Sequence, residues 1–111
     1  DLGLKASLKI LNATSTELRI TAIEVNGRQK STEPIVLPAM TAQKFSDAGY
    51  VANLLLAGGE KLGISVEQEG KSTNAGCSVP SRPDGICILR ARYSGTSQLV
   101  CGYDCADASS K

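Results

Sequence analysis

Apolar and polar residues alternate with a period of two along much of this chain. Leu4, Ala6, Leu8 and Ile10 are interleaved with Lys5, Ser7 and Lys9, which in a strand turns one set toward a core and the other toward water. The polar run over residues 12–16 has turn composition. Leu18 and Ile20 then resume the alternation, and Ile23 and Val25 continue it on the opposite parity. Such a one-residue slip, near Thr21 and Ala22, predicts a β-bulge. Asn26-Gly27 follows, a dipeptide whose residues both tolerate positive φ and which predicts a tight turn, and residues 28–33 read as exposed loop.

Pro34-Ile35-Val36-Leu37-Pro38 is apolar but closed by proline at both ends, so it suits an edge strand or an extended connector. Met40 and Phe45 are expected to anchor the stretch that follows. Residues 50–57 are read as a strand ended by Gly58-Gly59, and Leu62, Ile64 and Val66 alternate cleanly in another. Residues 69–85 hold Gly70, Gly76, Pro80, Pro83 and Asp84-Gly85 and read as one long loop. Beyond it, Cys87, Leu89, Ala91 and Tyr93 share one face, as do Leu99, Cys101 and Tyr103, which predicts a terminal hairpin turning near Gly95. The sum is an all-β chain, an antiparallel β-sandwich or curled sheet without a long amphipathic helix. A chain of 111 residues has room for one core, assigned to residues 1–105 with a polar tail at 106–111.

Composition narrows the chemistry. One Phe, no Trp and three Tyr leave few platforms for stacking bases or sugars. Twelve basic against eleven acidic side chains give a net charge of +1, without the basic excess expected of a nucleic-acid binder. With no histidine, imidazole-dependent triads and imidazole metal sites are excluded. No catalytic residues, metal or cofactor are therefore expected.

Four cysteines, Cys77, Cys87, Cys101 and Cys105, fall near the C-terminus. An even number at these spacings suits disulfides better than a zinc site. Cys77 with Cys87 and Cys101 with Cys105 would close short local loops, and a cross-strand Cys87 to Cys101 bridge is the alternative. Either implies an oxidising compartment, the periplasm or the cell exterior. The start at Asp1 fits removal of a signal peptide, and no apolar run approaches the roughly 18 residues that span a bilayer.

Several constellations bear on chemistry. Glu67 and Glu69 have the spacing of a carboxylate pair at a strand end, but a solvated strand end accounts for them, and also for Asp104 and Asp107 as calcium ligands. Arg90 and Arg92, with Arg82 nearby, could meet an acidic partner, although exposed arginines also serve solubility and edge protection. Gly58-Gly59-Glu60-Lys61 lacks phosphate-loop spacing and reads as a turn. Asn12-Ala13-Thr14 matches a glycosylation sequon. Leu54, Leu55 and Leu56 cannot all face one core from one strand, so either both faces are covered or one awaits a partner.

Together the strands over residues 4–25, the Asn26-Gly27 turn, the Leu62 to Val66 strand and the cysteine-bearing terminal hairpin resemble the globular β-domain of type IV pilins. A chain that begins with a strand resembles in particular the secreted β-subunit of a split pilin, whose helical part is a separate short polypeptide. The resemblance implies a structural subunit of a pilus or pseudopilus-like filament, passing through the periplasm to the exterior. Its partners would be a short helical pilin and copies of itself. Cys101 and Cys105 would correspond to the C-terminal disulfide of the family. Leu54, Leu55, Leu56, Phe45 and Met40 are the expected partner-binding residues, and strand addition along residues 4–10 is a second route. The alternative is a small secreted toxin, effector or inhibitor that binds protein through the loop at residues 70–85.

Overall fold

The computed structural model describes residues 8–30, 33–45, 56–81, 83–84 and 87–105. Among them run nine strands: β1 (Leu8–Asn12), β2 (Leu18–Val25), β3 (Arg28–Gln29), β4 (Ile35–Leu37), β5 (Thr41–Phe45), β6 (Lys61–Gln68), β7 (Lys71–Ser78), β8 (Cys87–Tyr93) and β9 (Leu99–Cys105). They form two sheets, one ordered β5-β1-β8-β9 and the other β3-β2-β6-β7, with β4 also paired to β2. Neighbours are antiparallel except β1 and β8, which run parallel. The all-β sandwich expected from the alternation is the fold observed.

The alternation sets which side chains fill the sandwich. Leu8 and Ile10 of β1, Leu18, Ile20, Ile23 and Val25 of β2, Leu62, Ile64 and Val66 of β6, and Leu89, Ala91 and Tyr93 of β8 join one buried cluster. Each large aliphatic chain so buried stabilises the fold by roughly 1.5–3 kcal/mol, so a slip of one residue in any of these strands would be heavily penalised. β2 accommodates its change of parity with a bulge. Ile20 pairs with Val66 and Ala22 with Ser65, leaving Thr21 extra, and the Thr21 hydroxyl donates to the Ser65 carbonyl. Asn26 (φ 52°) and Gly27 (φ 82°) make the expected tight turn, which pairs the short β3 with the end of β2 where only loop was expected. β4 is an edge strand on β2, as its flanking prolines imply.

Residues 71–78 overturn one expectation. Instead of a long loop, they form β7, paired with β6 along its whole length through a two-residue turn at Glu69 (φ 51°) and Gly70 (φ 79°). The inward positions Thr73, Ala75 and Cys77 are small, and the outward ones polar, so this edge strand lacks the apolar signature of its neighbours.

The disulfides differ from both expected pairings, because both followed from that loop and from a hairpin turn centred near Gly95. Cys77 bonds Cys101, and Cys87 bonds Cys105. The β8–β9 turn spans residues 94–98, so that Cys87 lies opposite Cys105 and Ala91 opposite Cys101. Cys77 sits on β7 at the edge of one sheet and Cys101 on β9 at the edge of the other, and their bond staples the two edges together. The Tyr103 hydroxyl reinforces this side by donating to the Pro80 carbonyl at 3.0 Å. Two disulfides fit an oxidising compartment, periplasmic or extracellular. Among the described residues no helix is long and apolar enough to cross a membrane.

Candidate interaction surface

Asn12 organises one end of the sandwich. It closes β1 with its side chain fully buried, a position that a polar group holds only when its hydrogen bonds are made. Its amide Nδ2 donates to the Leu37 carbonyl at 3.0 Å, with the Thr16 and Pro38 carbonyls at 2.9 and 3.1 Å. Its Oδ1 accepts from the Thr14 amide at 3.1 Å and the Thr14 hydroxyl at 2.6 Å. Gln68 in turn donates to the Thr14 oxygen at 2.6 Å. The sequon at Asn12 is thus an internal clamp whose amide is already engaged.

Through Leu37 and Pro38 this clamp holds the crossover from β4, in one sheet, to β5, in the other. At that crossover Met40 adopts the left-handed conformation (φ 57°) and is 68% exposed. Four residues earlier, Val36 points outward from the edge strand and is 46% exposed. Left-handed backbone is unfavourable for a residue with a side chain, so Met40 is turned outward by a crossover pinned from below.

Of the three expected partner-binding residues that are described, Met40 is the one at the surface. Phe45 and Leu56 are core residues, 2% and 0% exposed, and as they stand they offer nothing to a partner. Leu54 and Leu55 lie outside the described residues. Strand addition along residues 4–10 meets an obstacle over Leu8 to Ile10, because β1 is paired on both sides, with β5 and β8; residues 4–7 lie outside the described residues.

The other constellations resolve as local structure. Glu67 lies opposite Arg19 on β2 and forms an ion pair with it at 3.7 Å, both side chains about half exposed, while Glu69 belongs to the β6–β7 turn. Gly58-Gly59 is a turn leading into β6, which begins at Lys61. The Glu60 carboxylate accepts from the Ala57 amide, and a Cβ on Gly58 would come within 3.0 Å of the Ser81 backbone. Arg90 and Arg92 are exposed on β8. Asp104 is exposed near the end of β9, and Arg82 and Asp107 lie outside the described residues. No cluster of potential metal ligands occurs among the described residues.

Comparison of the chain with protein-family models, with curated proteins and with solved structures finds no match.

Proposed function

We propose that this protein is a structural subunit of an extracellular filament of the type IV pilus or pseudopilus kind, its β-domain binding a short helical pilin that has no head of its own. Met40 is the chief support. Left-handed backbone at a residue with a side chain costs energy, and such residues cluster at functional sites; Met40 holds an exposed apolar side chain there, and methionine is well suited to packing against a partner helix. Val36, four residues earlier on β4, is a second exposed apolar side chain. The disulfide across the two sheet edges supports the same role, since a subunit of an extracellular assembly must hold its shape without cellular help.

The reading as a secreted toxin or inhibitor relied on a recognition loop at residues 70–85, and that stretch is a strand over Lys71–Ser78.

The test is capture of the tagged protein from cells that produce it, with mass spectrometry of what accompanies it. The wild type is expected to bring down a short, apolar, helical polypeptide at equal stoichiometry. Met40→Glu should lose that polypeptide while melting within a few degrees of the wild type, as an exposed substitution does. Absence of such a companion from the wild type would refute the proposal, and its retention by Met40→Glu would remove Met40 from the interface.

A further inference from the structure

The outer face of the β5-β1-β8-β9 sheet carries a row of cations. Lys9 on β1 lies opposite Lys44 of β5 on one side and Arg90 of β8 on the other. Arg92 is two residues further along β8, between Leu11 and Val100. Lys44, Arg90 and Arg92 are exposed and Lys9 is half-buried. Among the described residues the only ion pair is Arg19 with Glu67 on the other sheet, so none of these four cations has a described carboxylate within ion-pair distance. Asp104 is the one described carboxylate at an outward position of this face.

Like charges directly opposite each other on adjacent strands destabilise a sheet. Cations on edge strands repay this by blocking strand addition, but β1 and β8 are the two central strands, paired on both sides. Edge protection therefore leaves Lys9, Arg90 and Arg92 unexplained. The face is also partly apolar, with Leu11, Ala42 and Val100 in the row beside the cations, Val100 being 57% exposed. Opposite Arg90 stands Gly102, whose φ is not in the left-handed region and whose added Cβ would meet nothing. Neither backbone nor packing asks for glycine there, and the missing side chain leaves a hollow beside Arg90, Arg92 and Val100.

The complementary charge sits at one end of the other sheet. Glu17, Glu67 and Glu69 lie around one shallow depression at the β6–β7 turn. Glu67 is engaged by Arg19, whereas Glu17 and Glu69 are exposed and outside ion-pair distance of any described cation.

We infer that the cationic face of the β5-β1-β8-β9 sheet docks a second copy of this chain, the β6–β7 turn of one molecule seating Glu17 and Glu69 over Arg90 and Arg92 of the next. Mixed arginine and aliphatic character is that of a protein interface, and the apolar residues beside the cations have no use for a polyanion bound by charge alone. Because the two surfaces differ, the contact is head-to-tail and repeats into a chain of subunits. It adds a subunit-to-subunit contact to the filament role proposed above. It is tested on the isolated full-length protein, so its failure and that of the helical-partner proposal are separate results.

The experiment is sedimentation velocity on the oxidised protein at about 0.01 M ionic strength, where the Debye length is about 30 Å, and at 0.15 M, where it is about 8 Å. The wild type is expected to self-associate with rising concentration and to do so at least tenfold more weakly at the higher salt. Arg90→Glu/Arg92→Glu and Glu17→Lys/Glu69→Lys should each remain monomeric while melting like the wild type. An equal mixture of the two should associate, since each then presents what the other lacks. A monomeric wild type at low salt overturns the inference, as does association of either variant alone or a mixture of folded variants that stays monomeric. Retention of a monomeric wild type on immobilised heparin would assign the face to a polyanion instead.

Discussion

Replacing Asn12 tests whether one buried amide holds the end of the sandwich and the crossover that displays Met40. In Asn12→Ala the buried Leu37 carbonyl and the part-buried Pro38 carbonyl both lose the Asn12 amide. The Thr16 carbonyl keeps a contact with the Gln68 amide at 3.3 Å, so the loss there is smaller. Withdrawing this amide from one buried and one part-buried carbonyl is expected to remove roughly 2–4 kcal/mol of stability. In a chain of this size that lowers Tm by about 10–20 °C. Asn12→Asp has the same shape but turns an oxygen toward the three carbonyls, so its ionised form should be less stable than Asn12→Ala. Burial and those carbonyls raise the folded carboxyl above its unfolded value of about 3.9. Stability of this variant is therefore greatest below about pH 4 and falls as pH rises through the folded value. Urea unfolding with intact disulfides, at pH 3.5 to 8, measures both. A loss below about 1 kcal/mol in Asn12→Ala, or an Asn12→Asp variant that follows the wild-type pH profile, would refute the role given to this side chain.

Further outcomes follow from the same geometry. Peptide mapping under non-reducing conditions should recover Cys77 linked to Cys101 and Cys87 to Cys105, and Cys77→Ala/Cys101→Ala should lower unfolding stability by about 3 kcal/mol for the span it closes. Lys9→Glu exchanges two like-charge cross-strand pairs, with Lys44 and Arg90, for two opposite-charge ones. It should raise stability by about 1 kcal/mol at low ionic strength, with a gain that shrinks as salt is added.

Local pattern disclosed much of this fold, and what it concealed depends on contacts between distant segments. The bulge at Thr21 was visible because Ile20 and Ile23 must both face the core, and β4 because Pro34 and Pro38 confine it to an edge. β7 was hidden because an edge strand with Thr73, Ala75 and Cys77 inward looks like a polar loop. The Glu69-Gly70 pair, able to form the same turn as Asn26-Gly27, was the available clue. The cysteine pairing depends on β7, since only a strand there carries Cys77 to the edge occupied by Cys101. Asn12 looked like a turn residue because turn formers and buried clamps use the same side chain. The row of Lys44, Lys9 and Arg90 was invisible for a different reason: it exists only when β1 lies between β5 and β8, a placement no local window encodes. Of the expected partner contacts, Phe45 and Leu56 are turned to the core, 2% and 0% exposed.

The central claim, a β-domain that works as one part of an extracellular filament, is most directly tested on native material. The secreted fraction would be purified without denaturant, viewed by electron microscopy and weighed by intact-mass spectrometry. Filaments containing this chain and a short, apolar, helical polypeptide in equal amounts are the predicted result. A monodisperse 11.6 kDa monomer with no companion and no filaments would contradict it.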